Sequence, residues 1–211
     1  MFERKSNMLR VDLHLHTVFS GDSTISPKLI VDQLHSHPLI KGVAIADHNT
    51  LEGYFQVHRL ASVYEDLVIL PGIEISTEKG DIIILGVEEK PEYPVTLNSA
   101  IEFAKTKNGV IVIPHPYRSR GIGDLAMDID AHAIEVLNPT ATPKENMLAQ
   151  KLAKTKGVSS VAGTDAHNVR ELWTVSTEVD AQLTVESVLD AIQKGFVKAV
   201  DSRAANLVNR D

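Results

Sequence analysis

The sequence contains no cysteine, so neither disulfide bonds nor thiolate zinc sites are available to it. It has no run of about 18 apolar residues, which a membrane-spanning helix would need, and MFERKSNMLR at its start lacks the apolar stretch of a signal peptide. Basic residues are outnumbered, 21 Lys and Arg against 28 Asp and Glu. We therefore expect a cytoplasmic protein without membrane contact, and the net charge of −7 disfavours a broad grip on duplex DNA.

The chain is composed like a globular protein of one domain. It has 211 residues, of which 43% are hydrophobic and 23% charged, which is enough apolar material for a core and too little charge for disorder. We expect residues 1–211 to form a single domain, with 197–211 as a C-terminal extension or a last packing element. Oligomeric state is left open by the sequence.

Short apolar segments alternate with amphipathic ones along most of the chain. Val- and Ile-rich runs of this kind suit strands that are covered on both faces. The predicted strands are 10–14, 42–46, 67–71, 82–87, 110–114, 132–137 and 158–163, and the predicted helices are 26–37, 51–64, 96–108, 143–156 and 184–195. Seven strands alternating with helices in about 200 residues indicate an α/β fold with a small (β/α) barrel, and TEKGD between the third and fourth strands indicates one hairpin.

Metal-ligand residue types fall at the predicted carboxyl ends of the strands. In a parallel barrel these ends lie on one face, where active sites are built, so residues scattered along the chain would meet there. The residues are His14, His16, Asp47, His48, Glu74, His115, Asn138, Asp165 and His167. By contrast, four histidines lie on predicted helices or at a strand start and are interpreted as structural: His35, His37, His58 and His132.

This residue set suits a centre with more than one cation. Alternation of side chains along a strand would put His14 and His16 on one side, where both could bind one ion. Glu74 or Asp165 could bridge two ions, and imidazole with carboxylate suits zinc, manganese or iron, with magnesium as a further candidate. Two ions about 3.5–4 Å apart can activate water and clamp a phosphoryl group.

Five segments resemble the motifs of one family, the PHP (polymerase and histidinol phosphatase) family. DLHLHTVFSGDS resembles its first motif, Asp-x-His-x-His-Thr followed by Ser and Asp, and AIADHNT resembles the second. PGIEIS resembles the third motif with its Glu, IPHPYR the His-Pro-x-Arg motif, and GTDAHN the final Asp-x-His. The five run in the family's order from Asp12 to His167 and so cover most of the chain.

The resemblance implies a distorted seven-stranded (β/α)7 TIM-like barrel with two or three divalent metal ions. It implies that one ion is held by His14, His16, Glu74 and Asp165, a second by Glu74 and His115, and a third by Asp22, His48 and His167. It also makes Asp12 and Asp47 candidates for supporting the ligands, by accepting hydrogen bonds from their imidazoles, with the capping of backbone N–H groups at a strand end or turn as the alternative.

One departure from the family pattern concerns the second ion. Family members often carry a further His in or just before the strand after the Glu motif, where this chain reads EKGDIIILG. Asp81 is the nearest substitute, and a β-turn role beside Gly80 is an equal alternative. Asn138 could complete or support the centre, or simply shape an Asn-Pro turn.

The resemblance implies a metal-dependent phosphoesterase acting on a small phosphorylated metabolite or nucleotide. Arg118 is placed to bind the phosphate, with Arg120 as a second candidate, and His48 or His167 could assist the leaving group. Three alternatives stay open: a 5'-3' exonuclease on short oligonucleotides, a metal hydrolase acting on an amide, and a non-catalytic barrel that serves as a subunit of a larger particle.

Overall fold

The computed structural model describes residues 8–202, which form one nine-stranded sheet with helices packed against it. None of the helices in this range is long and apolar enough to cross a membrane. The strands are β1 (Met8–Leu15), β2 (Ile40–Ile45), β3 (Val68–Thr77), β4 (Gly80–Leu85), β5 (Val110–Ile113), β6 (Ala133–Leu137), β7 (Ser159–Ala162), β8 (Val175–Asp180) and β9 (Val197–Asp201).

The sheet has the order β7-β6-β5-β4-β3-β2-β1-β8-β9 and curls into a nearly closed barrel. The barrel closes where the edge strand β7 meets β1 and β8. The backbone after β7 bonds to the end of β1, from Asp165 N to His14 O at 2.7 Å and from His16 N to Ala166 O at 3.2 Å. Thr177 of β8 also bonds both backbone groups of Ala162 in β7. These contacts bring the two ends of the chain's motif series, His14 and Asp165, side by side.

The strand pairing is more mixed than the sequence predicted. β1, β2 and β3 are mutually parallel, and so are β5, β6 and β7, whereas β4 is antiparallel to both its neighbours. The hairpin predicted between the third and fourth strands is confirmed. The seven predicted strands all exist, but β8 and β9 are additional and pair antiparallel beside β1. Polar residues interrupt the apolar run of β8 (VSTEVD), which hid it from a search for buried parallel strands.

The five predicted helices are confirmed, and four of them have start signals that the sequence shows directly. They are α1 (Pro27–Ser36), α2 (Glu52–Ala61), α3 (Leu97–Thr106), α4 (Pro143–Lys156) and α5 (Val185–Lys194). Ser26, Thr96, Thr142 and Thr184 each accept a backbone N–H at the start of α1, α3, α4 and α5. Gly157 and Gly195 end α4 and α5 in the left-handed conformation.

The apolar core fills one end of the barrel and leaves the other end to polar residues. One cluster joins residues of strands β1 to β8 with Val188, Ala191 and Ile192 of α5, so α5 closes the barrel on that side. Helices α1 and α2 cover a second cluster and α3 and α4 a third. Burial of so much aliphatic surface on several sides stabilises the strands as a rigid frame for the polar end.

The final segment of the chain is described only in part. Residues 197–201, at the start of the predicted C-terminal extension, form β9 in the sheet, and 203–211 lie outside the described residues. The interpretation of residues 1–211 as a single domain stays a prediction.

Candidate metal centre

The predicted ligand residues converge at the polar end of the barrel. His14 lies in β1 with His16 just after it, His48 follows β2, His115 follows β5, and Asp165 follows β7. Glu74 is the exception to the predicted pattern, because β3 runs on to Thr77 and so contains it. A β-bridge between His48 and Glu74 fixes its place beside the other ligand candidates.

The prediction that His14 and His16 lie on one side is confirmed, although the strand is irregular there. The register between β1 and β2 shifts between Asp12 and Leu15. As a result Leu13 packs in the interior cluster with α5, while Leu15 packs with α1 and α2. His14 and His16 nevertheless come together, with their Nε2 atoms 3.0 Å apart, because this irregularity turns the end of the strand.

Three groups of His and acidic side chains could each hold a cation, and in each the ligand atoms lie within 4.8 Å of one another. We call them site A (His14, His16 and Asp165), site B (His14, Glu74 and His115) and site C (His16, Asp22, His48 and His167). Sites A and B are buried, whereas site C opens to solvent through Asp22. Shared histidines make the three groups one continuous centre.

Glu74 lies in the middle of this centre. Its Oε2 is 3.3 Å from His14 Nε2, 3.2 Å from His16 Nε2 and 3.2 Å from His48 Nδ1. Its Oε1 is 3.3 Å from His115 Nε2. A single carboxylate thus faces four imidazoles from three segments of the chain, which is the placement a bridging ligand needs.

Asp165 and Asp22 supply carboxylates on opposite sides of the centre. Asp165 Oδ1 is 3.2 Å from His16 Nε2, and its Oδ2 is ion-paired with Arg118. Asp165 has a φ of 51°, an unfavourable left-handed conformation that marks a constrained position. Asp22 Oδ2 is 3.4 Å from the Nε2 atoms of both His48 and His167.

The donor set fits divalent cations. Among residues 8–202, the buried atoms His48 Nδ1, Glu74 Oε1 and His115 Nδ1 make no hydrogen bond, although the first two lie near polar neighbours. Orphaned buried polar atoms are costly and rare in proteins, so they call for a partner. Neutral imidazole and carboxylate oxygen are the ligand types of zinc, manganese and iron.

Without a cation, protons have to balance the buried carboxylates. Burial lowers the pKa of His14, but Asp165, Glu74 and Glu135 outweigh it and raise that pKa well above its usual range. Burial also opposes protonation of His16, but Asp165 and Glu74 raise its pKa to about 9. Burial raises the pKa of Glu74, but the neighbouring histidines, His14 above all, hold it well below its usual range. A cation would take over this charge balance and release the protons.

Asp12 and Asp47 accept hydrogen bonds from backbone and hydroxyl groups, and not from the imidazoles that we predicted as their partners. Asp12 accepts hydrogen bonds from Thr164 N at 2.9 Å, from the Thr164 hydroxyl and from the backbone N–H of His14. Asp47 accepts two from Thr17, from N at 2.6 Å and Oγ1 at 2.7 Å. Both carboxylates therefore anchor the loops that carry ligand candidates, because their short side chains meet backbone N–H groups before they reach a ring.

Sequence reasoning missed Glu135, which contacts a candidate imidazole directly. It lies in β6, is buried, and its Oε1 is 3.1 Å from His14 Nδ1. Asn138 donates to Glu135 Oε2 at 2.9 Å and to Asp165 Oδ2 at 3.3 Å, so it lies beside the centre as predicted. A charged residue inside the apolar strand AIEVL was the available signal, since Glu is almost never buried without a partner.

Asp81 and Arg120 pair with each other at the edge of the centre. Arg120 contacts both oxygens of the Asp81 carboxylate, and Asp81 belongs to none of the three groups found among residues 8–202. Arg118 and Arg120 line one pocket together with the candidate ligands. This pocket has a volume of about 340 Å³ and is lined by Asp22, His48, Glu74, Ser76, Asp81, His115, Arg118, Ser119, Arg120, Asp165 and His167.

Comparison with known proteins places the chain in a family. The PHP-associated family model matches residues 143–197. An uncharacterized protein of Methanocaldococcus jannaschii is 32% identical over 142 residues, which are 62% of this chain and 82% of that protein. The chain belongs to the PHP family.

Solved structures share the PHP fold at low sequence identity. A two-domain protein of Bacteroides vulgatus, named for a predicted PHP-like metal-dependent phosphoesterase, is 18% identical with a TM-score of 0.79 over 93% of this chain. The chain spans 65% of that protein's length. An amidohydrolase of Chromobacterium violaceum, solved with sulfate and no metal, is also 18% identical, with a TM-score of 0.63 over 76% of this chain and 88% of its own.

Proposed function

We propose that this PHP protein is a metal-dependent phosphoesterase. The observation that carries the proposal is the placement of two arginines, Arg118 and Arg120, in the same pocket as the three candidate cation sites. Cation sites alone fit many hydrolases. Guanidinium groups beside them add planar donors that match the oxygens of a phosphate.

The ligands are assigned residue by residue to the three sites. Site A, together with Glu74, would hold the first ion on His14, His16, Glu74 and Asp165; site B would hold the second on Glu74 and His115; and site C would hold the third on Asp22, His48 and His167. When bound, such ions polarise the phosphoryl oxygens and lower the pKa of water. Zinc, manganese and iron suit these ligands best, and the number of ions held is two or three.

The arginines and site C histidines carry the remaining steps. Arg118 is ion-paired with Asp165 and lines the pocket, where its guanidinium would contact the substrate phosphate. Arg120 lies at the pocket edge on Asp81, where it is 55% exposed and able to meet a second oxyanion. Where site C holds no ion, His48 or His167 can donate a proton to the leaving oxygen.

The pocket favours a small substrate. Its volume of about 340 Å³ is near the lower end for ligand pockets, and the net charge of −7 offers no broad basic surface for a long nucleic acid. We therefore favour a phosphorylated metabolite or a nucleotide over a polymer, and regard Asp81 as the partner of Arg120 in preference to a ligand.

The test compares substrates and variants with several ions. The protein is assayed on p-nitrophenyl phosphate, bis(p-nitrophenyl) phosphate, short 5'-phosphorylated oligonucleotides and an anilide, with Mn²⁺, Zn²⁺, Fe²⁺ or Mg²⁺. We expect metal-dependent hydrolysis of a phosphate ester that His16→Ala abolishes and His58→Ala, at an exposed position on α2, preserves. Undiminished turnover by His16→Ala, or hydrolysis of the anilide alone, would contradict the proposal.

A further inference from the structure

Glu135 is a buried carboxylate outside all three candidate cation sites. It is 2% exposed in the middle of β6, and its hydrogen-bond partners are His14, the backbone of His115, and Asn138. Burying a carboxylate costs several kcal/mol unless hydrogen bonds or opposite charge compensate. The three contacts that offset this cost all lie at the candidate metal centre.

The first contact selects one form of the His14 ring. Glu135 Oε1 is 3.1 Å from His14 Nδ1, and an ionised carboxylate can only accept, so Nδ1 carries the proton. A cation would take the place of any proton on Nε2, the ring atom that faces His16 Nε2 at 3.0 Å and Glu74 Oε2 at 3.3 Å. His14 belongs to both site A and site B, so its orientation decides the geometry of two sites.

The second contact holds a strained part of the backbone. Glu135 Oε2 accepts the backbone N–H of His115 at 2.8 Å, and His115 has a φ of 24°. A non-glycine residue in this region costs of order 1–3 kcal/mol and persists only where its surroundings fix it. This hydrogen bond therefore helps to hold the His115 ring over Glu74.

The third contact extends the network to Asp165. Asn138 donates from its side-chain nitrogen both to Glu135 Oε2 at 2.9 Å and to Asp165 Oδ2 at 3.3 Å. Through one carboxylate, β6 is thus connected to ligand candidates that follow β1, β5 and β7. Glu135 is not itself placed as a ligand, because both of its oxygens already accept N–H groups.

Gly163 makes room for this arrangement. A Cβ at that position would lie 2.3 Å from His14 Cβ and 2.7 Å from Glu135 Oε1. Any side chain on Gly163 would therefore push apart the His14–Glu135 pair. The backbone after β7 can approach the His14–Glu135 pair this closely because residue 163 is a glycine.

We propose that Glu135 is the positioning residue of the metal centre, which fixes His14 with Nε2 free for a cation and holds the His115 backbone in its strained conformation. The inference rests on the proposed function only in assuming that sites A and B bind cations. It predicts that the identity of residue 135 governs metal affinity although residue 135 touches no metal.

The test measures Mn²⁺ binding by isothermal titration calorimetry in wild type, Glu135→Gln and Glu178→Gln. Glu178 of β8 is the matched control, since it is a carboxylate paired with Arg10 outside the centre. A Gln amide turned with its NH₂ toward His14 would shift the ring proton to Nε2, the atom that a cation needs, and turned the other way its NH₂ would face the N–H donors of His115 and Asn138. We expect about 10- to 100-fold weaker Mn²⁺ binding in Glu135→Gln and unchanged binding in Glu178→Gln.

A spectroscopic readout separates positioning from a general loss of structure. In the Zn²⁺-loaded wild type, the His14 Nδ1–H bonded to Glu135 should give a downfield proton signal that exchanges slowly with solvent. We expect Glu135→Gln to lose this signal while far-ultraviolet circular dichroism stays unchanged. If Glu135→Gln does not fold, Asn138→Ser removes the amide nitrogen that links Glu135 and Asp165, along with the Oδ1 atom that accepts from Thr140, and we expect weaker Mn²⁺ binding there too.

The outcomes distinguish the two proposals. A folded Glu135→Gln with wild-type Mn²⁺ affinity, or with the proton signal retained, overturns the role of Glu135 and leaves the metal centre standing. Wild-type protein that binds neither Mn²⁺ nor Zn²⁺ overturns the metal centre itself, and the positioning role with it.

Discussion

Arg120 contacts both carboxylate oxygens of Asp81, at 2.8 and 3.3 Å. Asp81 is buried at the start of β4, at the place where PHP proteins often carry a further His ligand, and Arg120 is the more exposed partner. An ion pair thus stands where the family pattern leads one to expect a ligand. The carboxylate is satisfied by this guanidinium, which argues that the second ion, if bound, relies on Glu74 and His115.

The Asp81–Arg120 pair leads to two predictions, one for the metal content of Asp81→Asn and one for the stability of Arg120→Ala. Asp81→Asn should leave the number of bound Mn²⁺ ions unchanged, because Asp81 is outside the three candidate sites. Arg120→Ala should lower the free energy of unfolding by about 1–3 kcal/mol, because it leaves a buried carboxylate unpaired. Elemental analysis of the dialysed protein and urea unfolding measure the two effects. Loss of one ion from Asp81→Asn would identify Asp81 as a ligand.

Arg118 predicts a loss of catalysis without a loss of metal. Removing one donor to the charge that develops in the transition state typically costs about 10²- to 10³-fold in kcat, so Arg118→Ala should lose roughly that much. Arg118→Lys should lie in between, because an ammonium cannot bind two oxygens in a plane. Steady-state rates and metal content are compared with Arg59→Ala, a control on the exposed face of α2. Wild-type kcat/KM in Arg118→Ala would remove it from the site.

The helices and most strands could be predicted because their signals are local. A capping Ser or Thr marks the start of α1, α4 and α5 in the sequence itself, with a Pro after it in α1 and α4 and a Gly at the far end of α4 and α5. β8 and β9 lacked such signals, because their stability comes from pairing beside β1 and not from an apolar run of their own. The strand count was therefore too low by two, although the barrel was correct in outline.

The clustering of the candidate ligands could be predicted from the sequence, but the hydrogen-bond partners of the carboxylates that support them could not. Residue type and position at strand ends bring His14, His16 and Asp165 together without further knowledge. Which group a supporting carboxylate bonds depends on differences of a few tenths of an ångström in the relative positions of segments that are far apart in sequence. Asp12 and Asp47 were therefore given the wrong partners, and Glu135 was overlooked, because it lies within a strand.

The raised pKa of His16 predicts that the stability of the folded protein depends on pH in opposite directions with and without metal. In the metal-free protein its pKa is about 9 against an ordinary value of 6.5, so the folded state binds more protons than the unfolded state between these values. This contribution to stability is complete below about pH 6.5 and is lost as the pH rises through about 9. With Mn²⁺ present, deprotonation favours binding, so stability should rise over the same interval.

Urea unfolding in EDTA and in Mn²⁺ at about pH 6 and pH 9.5 checks this reversal. His16→Asn should weaken the pH dependence in EDTA, whereas His58→Asn should keep it, since His58 lies exposed on α2. The same slope in EDTA and in Mn²⁺ would show that protons and cations do not compete for this cluster.

Gly53 predicts a reversal of the usual preference for alanine in helices. Ala normally stabilises a helix by about 1 kcal/mol relative to Gly. A Cβ on Gly53, however, would lie 1.9 Å from Asp47 Oδ2 and 2.3 Å from Thr17 Oγ1, so Gly53→Ala must displace the carboxylate that anchors Thr17. We expect a loss of about 1–3 kcal/mol in the free energy of unfolding, together with weaker Mn²⁺ binding, because the Thr17 loop leads to Asp22.

Gly157→Ala is the control for Gly53→Ala. A Cβ on Gly157 meets no atom within 4 Å, but its φ of 74° strains any other residue. It should therefore cost about 1–2 kcal/mol of stability through backbone strain alone and leave Mn²⁺ affinity at the wild-type value, since it ends α4 away from the centre. Equal effects of the two substitutions on Mn²⁺ affinity would mean that the Asp47–Thr17 contact does not support the ligand loop. A drop confined to Gly53→Ala would show that packing beneath α2 is what holds Asp22 in reach of His48 and His167.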